Sequence, residues 1–405
     1  MLIRVFAGTW LAYAGLYLCR KNFSVLMPLL SRDLHFSKDD LAQLIFLYSL
    51  SYACGQFAAG SLADALGARP VVAAGMILSA VCTFAMGGTN VLWIFAVLQL
   101  ANGLGQSAGW PGLLKITAAR FEPANRGILM AWWSTNYVVG GFAATILAAW
   151  LSSGPLAARF GWKAGFAGPA VLLMTIAGIF VLLVSRGAQG PSPARQSAAG
   201  TWKRVLSSPA LRSIAISYFC LKLMRYTFLF WLPLYMVERL GYGTGDAGYM
   251  SSAYELIGFL GVPLAGYLSD RVMHGRRFPV GAGMLVGLAL VCLIFPKLSA
   301  LGYTANLLAI GLVGMLTFGP DSLMAGAATQ DATNPADSAT AGGFVNGVGS
   351  LGQITSPFLV VAVVRWTGWD GLFAVFVGVS LLGALALVTR WNPEARALEV
   401  KLSNA

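Results

Sequence analysis

Apolar runs of about 20 residues recur along the whole chain, and each is long enough to cross a hydrocarbon core of roughly 30 Å. Lipid offers the backbone no hydrogen bonds, so a run that crosses it has to be a helix. The charge content agrees. Only 10% of the 405 residues are Asp, Glu, Lys or Arg and 57% are hydrophobic, whereas soluble domains carry about a quarter charged residues. The pattern predicts twelve helices, at approximately 4–30, 38–65, 70–88, 92–120, 126–150, 163–185, 210–240, 245–270, 278–296, 304–330, 338–364 and 370–391. They are numbered helix 1 to helix 12 below. The expected fold is all-α and integral to a membrane.

The first run does not read as a cleaved leader, because Arg20 and Lys21 interrupt it and no small-residue cleavage site follows a short apolar core. Cys19, Cys54, Cys82, Cys220 and Cys292 all fall inside expected helices and read as small packing residues, not as disulfides or metal ligands. The net charge of +12 would suggest nucleic acid in a soluble protein, but here its distribution matters more. Arg186, Arg195, Lys203, Arg204 and Arg212 occupy a Gly-, Pro- and Ser-rich stretch without an acidic residue. Such a stretch is a cytoplasmic linker under the positive-inside rule. Arg69, Arg120, Arg126, Arg276, Arg277, Arg390, Arg396 and Lys401 flank helices on the same expected side. Both termini are then expected to be cytoplasmic, in a multi-pass protein of the cell (inner) membrane. The expected division is 1–185 and 210–405 as six-helix halves, with 186–209 as the linker.

The halves look like copies. Arg20, Phe23 and Pro28 in helix 1 recur as Arg225, Phe228 and Pro233 in helix 7. Gly60-Ser61-Leu62-Ala63-Asp64 after helix 2 recurs as Gly266-Tyr267-Leu268-Ser269-Asp270 after helix 8. Trp110-Pro111 in helix 4 recurs as Gly319-Pro320 in helix 10. Such paired six-helix repeats are the plan of alternating-access carriers.

Intramembrane charge narrows the cargo. Arg20, Lys21, Lys222 and Arg225 all lie inside helices, where each cation costs roughly 2.5–3.5 kcal/mol even on the lenient insertion scale. One reading makes them structural ion pairs, or side chains that snorkel to an interface. The other makes the two arginines a pair of forks that hold an oxyanion by parallel hydrogen bonds. Two membrane carboxylates accompany them, Glu255 in helix 8 and Asp321 in helix 10. Glu255 reads as an ion-pair partner of Lys222 or Arg225. Asp321 is open to three roles: partner of Lys21, receptor for a substrate ammonium or hydroxyl, or proton carrier. Only two histidines exist, His35 and His274, both in expected loops, so no nucleophile–base pair argues for an enzyme. No cofactor or metal is expected.

Gly60 to Arg69 resembles the loop motif after helix 2 of the major facilitator superfamily, and Gly266 to Arg271 with Arg276 and Arg277 resembles its second copy. The chemistry suits a gating latch in which Asp pairs with Arg across a helix end, with Asp64, Arg69, Asp270 and Arg271 as its residues. Within that superfamily, Tyr13 to Phe23, Gly109-Trp110-Pro111, Leu223 to Tyr226 and Trp366 to Asp370 resemble the organophosphate:phosphate antiporters. The resemblance runs from helix 1 to helix 12. It implies that Arg20 and Arg225 bind the phosphoryl group, with Tyr13, Tyr17, Tyr52 and Trp110 in the pocket.

The departures bear on the organic moiety. Tyr137 stands where the glycerol-3-phosphate transporters have a pocket histidine, and Lys222 stands where they have a tyrosine. Phe230 replaces the aspartate that pairs there with the helix 1 lysine, which leaves Lys21 without that partner. Phe318 and Ser350 replace pocket tyrosines. The resemblance therefore implies a monomeric carrier that exchanges a small phosphorylated or phosphonate anion for inorganic phosphate in the lipid bilayer. A proton-coupled symporter and a non-transporting sensor on the same fold are the alternatives.

Overall fold

A computed structural model describes residues 2–118, 132–133, 135–184, 198–333 and 338–389. The expected flanking residues Arg120, Arg126, Arg186, Arg195, Arg390, Arg396 and Lys401 lie outside the described residues, as does the side chain of Asp64. Among the described residues the chain is helical and holds no strand.

Helix 1 runs Leu2–Leu16 and continues as Leu18–Asp33. Its ladder is disturbed at Tyr17, whose carbonyl accepts both the Arg20 and Lys21 N–H groups. Helix 2 (Lys38–Leu66) starts on a capping box: Ser37 Oγ accepts the Asp40 N–H, and the Asp40 carboxylate accepts the Ser37 N–H. Helix 3 is Ala68–Met86, and helix 4 is Leu92–Ser107 continued by Gly109–Ala118. Helix 5 is Thr135–Ser153, and helix 6 is Ala164–Leu183 behind the short turn Pro155–Phe160. Within the expected linker a further helix forms over Ala198–Ser207. Helix 7 is Pro209–Leu240. Helix 8 is assembled from short segments between Thr244 and Val272. Helix 9 is Arg277–Ala300, and helix 10 is Tyr303–Leu323 with a wider turn at Met324–Ala328. Helices 11 and 12 occupy Ser338–Val388 on either side of Gly368.

Seven stretches among the described residues are, by length and composition, long and apolar enough to cross a membrane. Helices 1, 4 and 8 miss that standard because their ladders are interrupted, and helix 1 also carries Arg20 and Lys21. Leu182, Leu290, Leu293, Leu308 and Leu385 are each at least 60% exposed, which suits lipid and not water.

The backbone carries the repeat more sharply than the side chains do. Left-handed residues occur at His35 and Gly241, at Gly67 and Gly275, and at Gly161 and Gly368. Those pairs are 206, 208 and 207 positions apart, so three chain reversals of the first repeat recur in register in the second.

The chain divides into two compact units. One holds residues 1–193 with 228–255, and the other holds 194–227 with 256–405. Thus the end of helix 7 and the start of helix 8 cluster with the first repeat. Within each unit, glycine allows close helix approach. A Cβ on Gly75 would meet the Gly105 carbonyl oxygen at 2.3 Å, and one on Gly261 would meet the Met315 carbonyl oxygen at 2.0 Å. Four of the five cysteines are buried and unpaired as expected, whereas Cys54 is exposed.

Candidate functional site

In the first unit, Arg20 is buried in helix 1 and held from one side. Its Nε donates to Gln106 Oε1 of helix 4 at 2.9 Å. That oxygen also accepts the Tyr48 hydroxyl at 3.1 Å. The Gln106 amide nitrogen donates to Ser79 Oγ at 3.3 Å and Asn102 Oδ1 at 3.4 Å, and Asn102 Nδ2 donates to the Cys19 carbonyl. This buried network orients Gln106 so that its oxygen, not its nitrogen, faces the guanidinium. The Tyr17 and Tyr52 rings lie 4.7 and 4.9 Å from the guanidinium carbon. One terminal nitrogen, Nη2, is buried without a hydrogen-bond partner among the described residues. A buried donor left this way carries a substantial penalty, and such an arrangement is chemically able to accept an oxyanion.

The other expected residues of this unit fall around that fork. Tyr13 packs on Tyr17 at 5.9 Å and on Trp110 at 5.3 Å between ring centres. Trp133, which sequence reasoning missed and which precedes helix 5 in the chain, closes this aromatic group. Tyr137 is half-buried against the same cluster. A signal for Gln106 existed, since Gln99, Asn102 and Gln106 make a polar stripe at helical spacing in an apolar helix.

Lys21 corrects an expectation. Phe230 does not leave it alone, and neither does Asp321 serve it. Lys21 Nζ pairs with Glu255 Oε1 at 2.7 Å, whereas the sequence points to Lys222 or Arg225 as the partner of Glu255. Helix 7 explains how the groups meet. Pro233 has no N–H, so the Leu229 carbonyl one turn earlier lacks its helical donor. Lys21 Nζ approaches that oxygen at 3.4 Å, and Ser24 Oγ donates to it at 2.9 Å. Helix 6 repeats the device: Pro169 frees the Gly165 carbonyl, and Asn22 Nδ2 donates to it at 3.3 Å. Three neighbouring polar residues of helix 1 thus fill openings made by prolines elsewhere. Phe230 packs edge-on against Tyr48.

In the second unit, Arg225 Nη1 meets Asp321 Oδ2 at 2.5 Å, and its guanidinium carbon lies 4.5 Å from the Phe318 ring. Asp321 is therefore the partner of Arg225 and not of Lys21. Lys222 Nζ donates to Asn346 Oδ1 of helix 11 at 2.7 Å, near the rings of Tyr218 and Tyr226. Helix 4 gives Arg20 a neutral amide where helix 10 gives Arg225 a carboxylate.

Of the latch residues, Arg69 donates to the Val181 carbonyl near the end of helix 6, where carbonyls lack helical donors. Asp270 pairs with Arg277, which also reaches Ser269 Oγ and Asp331. Arg271 is exposed, and Arg277 is the arginine of this motif that Asp270 meets.

Three comparisons bear on this geometry. The chain is 28% identical to the glycerol-3-phosphate transporter of Bacillus subtilis, over 98% of this chain and 94% of that one. It is 27% identical to the membrane sensor protein UhpC of Escherichia coli, over 95% and 91%. It is 23% identical to a probable hexose phosphate transport protein of Chlamydia trachomatis, over 98% and 92%. Among solved structures, the nucleoside transporter NupG superposes with a TM-score of 0.78 at 14% identity, covering 96% of this chain and 100% of that one. A bacterial homologue of the lysosomal transporter Spinster gives 0.74 at 14% identity, over 95% and 93%. These likenesses give a multi-pass membrane protein with the twelve-helix carrier fold and no enzymatic role. The Major Facilitator Superfamily model matches residues 9–332. With its repeated helices, doubled loop motif and matching fold, the chain belongs to the Major Facilitator Superfamily.

Proposed function

We propose that this protein is a secondary transporter that exchanges a small organophosphate or phosphonate anion for inorganic phosphate by alternating access. The observation that carries the reading is Arg20: a buried guanidinium fixed at Nε by Gln106, flanked by Tyr17 and Tyr52, with Nη2 lacking a partner among the described residues. Arginine keeps its charge and matches phosphoryl oxygens two at a time. Relatives named for glycerol-3-phosphate and hexose phosphate support that class of cargo. Arg225, at the equivalent place in the second repeat, is the second proposed phosphoryl ligand. Exchange suits the charges better than proton coupling does, because both buried carboxylates, Glu255 and Asp321, are engaged in ion pairs. A bound dianion offsets the buried cations it meets, so the loaded carrier interconverts more readily than the empty one. The proposed setting is the inner membrane, as a monomer, with both termini cytoplasmic.

The test is counterflow of labelled phosphate in proteoliposomes preloaded with phosphate. The wild type should exchange, and Arg20→Lys should abolish exchange while keeping the charge, because the fork is lost. Near wild-type exchange by Arg20→Lys overturns the reading. A second reading follows from the similarity to UhpC, a membrane sensor. A protein that binds phosphorylated ligand and shows no counterflow would favour it.

A further inference from the structure

We propose that Asp321 is a resident carboxylate on Arg225, that an incoming phosphoryl dianion displaces it toward Lys222, and that this displacement rejects simple carboxylate monoanions. The inference rests on the reading of Arg225 as an anion-binding residue and adds a basis for specificity.

The two arginines occupy equivalent places in their repeats but keep different company. Arg20 is held by a neutral amide, and one of its terminal nitrogens has no partner among the described residues. Arg225 already carries an anion at 2.5 Å. Neither partner of that pair is sealed, since their side chains retain 15% and 12% exposure. A ligand that takes the Nη1 side of Arg225 has to replace Asp321, and binding there is an exchange of one anion for another. A monocarboxylate replaces like with like and gains little. A phosphoryl dianion brings more charge and three acceptor oxygens to the same fork, and gains. Discrimination is the difference between those two exchanges.

The displaced carboxylate has a place to go. Lys222 precedes Arg225 by three residues and so shares its face of helix 7. Its ammonium rests on the neutral Asn346 side chain, and Asp321 lies within electrostatic reach of it. Exchanging an amide oxygen for a carboxylate strengthens that contact. The lysine stem is tightly seated: a Cβ on Gly349 of helix 11 would come within 3.1 Å of Lys222 Cδ. Lys222 is thus fixed beside the pair, ready to receive Asp321.

The experiment measures binding of inorganic phosphate and of acetate to the purified full-length protein, by calorimetry and thermal shift. The wild type should bind phosphate and not acetate. Asp321→Asn should bind phosphate about tenfold more tightly, the worth of one charged hydrogen bond, and should acquire acetate binding. Lys222→Met should weaken phosphate binding, a loss that shrinks when Asp321→Asn is also present. Phosphate affinity unchanged or lowered in a folded Asp321→Asn variant overturns the displacement while leaving the proposed function intact. Should that variant fail to fold, Lys222→Met decides alone, and unchanged phosphate affinity overturns the inference. A wild type that does not bind phosphate overturns the reading of the site and this inference together.

Discussion

Lys21 and Glu255 stand 234 positions apart and form a 2.7 Å ion pair in which both side chains are almost wholly buried. The pair joins helix 1 to the start of helix 8 inside one compact unit. It carries the first prediction. Removing one partner of a buried pair leaves an uncompensated charge and costs about 3–5 kcal/mol, whereas removing both is far milder. Glu255→Gln should lower the unfolding temperature of the detergent-purified protein, and adding Lys21→Met should restore most of the loss. A Glu255→Gln protein as stable as the wild type would show that the pair does not hold these helices.

A second prediction concerns Gln106, which positions Arg20 without being a proposed substrate ligand. Gln106→Leu removes the acceptor of both Arg20 Nε and the Tyr48 hydroxyl. Phosphate binding should fall about tenfold, from the loss of one hydrogen bond to a charged group. Gln106→Glu should do more harm, because it gives Arg20 the kind of partner that Arg225 already has. Calorimetric titration with phosphate checks both, and wild-type affinity in Gln106→Glu would contradict the role given to Arg20.

The proline-freed carbonyl of helix 7 supplies a third. Ser24 Oγ lies within hydrogen-bonding distance of the Leu229 carbonyl, which Pro233 leaves without a helical donor, and of the Phe230 carbonyl beside it. Ser24→Ala should cost about 1 kcal/mol in the natural background. In a Pro233→Ala background the helix supplies its own donor to Leu229, and the cost should shrink. A double-mutant cycle of unfolding free energies measures the coupling. Equal costs in the two backgrounds would mean that the proline does not create the acceptor.

Glycine contacts give a fourth, with a built-in control. Gly261→Ala would drive its Cβ against the Met315 backbone, which cannot yield as a side chain can, and should markedly destabilise the protein. Gly178→Ala meets nothing within 4 Å. It should be neutral or raise stability by a fraction of the roughly 1 kcal/mol that separates the two residues in a helix. Thermal unfolding of the two variants side by side checks the contrast.

The membrane class, the helices and the internal repeat were legible because length, apolarity and spacing are one-dimensional properties. Arg20 and Arg225 were legible because intramembrane charge is rare enough to demand a reason. The pairing of charges was not. Two carboxylates and four cations allow many matchings, and the choice depends on which helix faces meet, a property no linear spacing contains. Thus Glu255 was read with helix 7 and belongs to Lys21, while Asp321 was read partly with Lys21 and belongs to Arg225. Gln106 was overlooked for a different reason. Charge stands out in an apolar helix, and the residue that orients Arg20 is neutral. The second loop motif holds Arg271, Arg276 and Arg277, and no linear spacing says which of them Asp270 takes; the fold gives it Arg277.

The carbonyls freed by Pro169 and Pro233 have a bearing on fatigue. A carrier repeats its cycle many times, and any joint that opened by breaking a helix's own ladder would fray that helix at every turnover. Here the acceptors at Gly165 and Leu229 were never part of a ladder, and helix 1 reaches them with Asn22, Lys21 and Ser24. Parting such contacts leaves both helices internally whole, and a water molecule can take the vacated oxygen. The prolines therefore supply docking points for helix 1 whose use takes no hydrogen bond from either helix's own ladder.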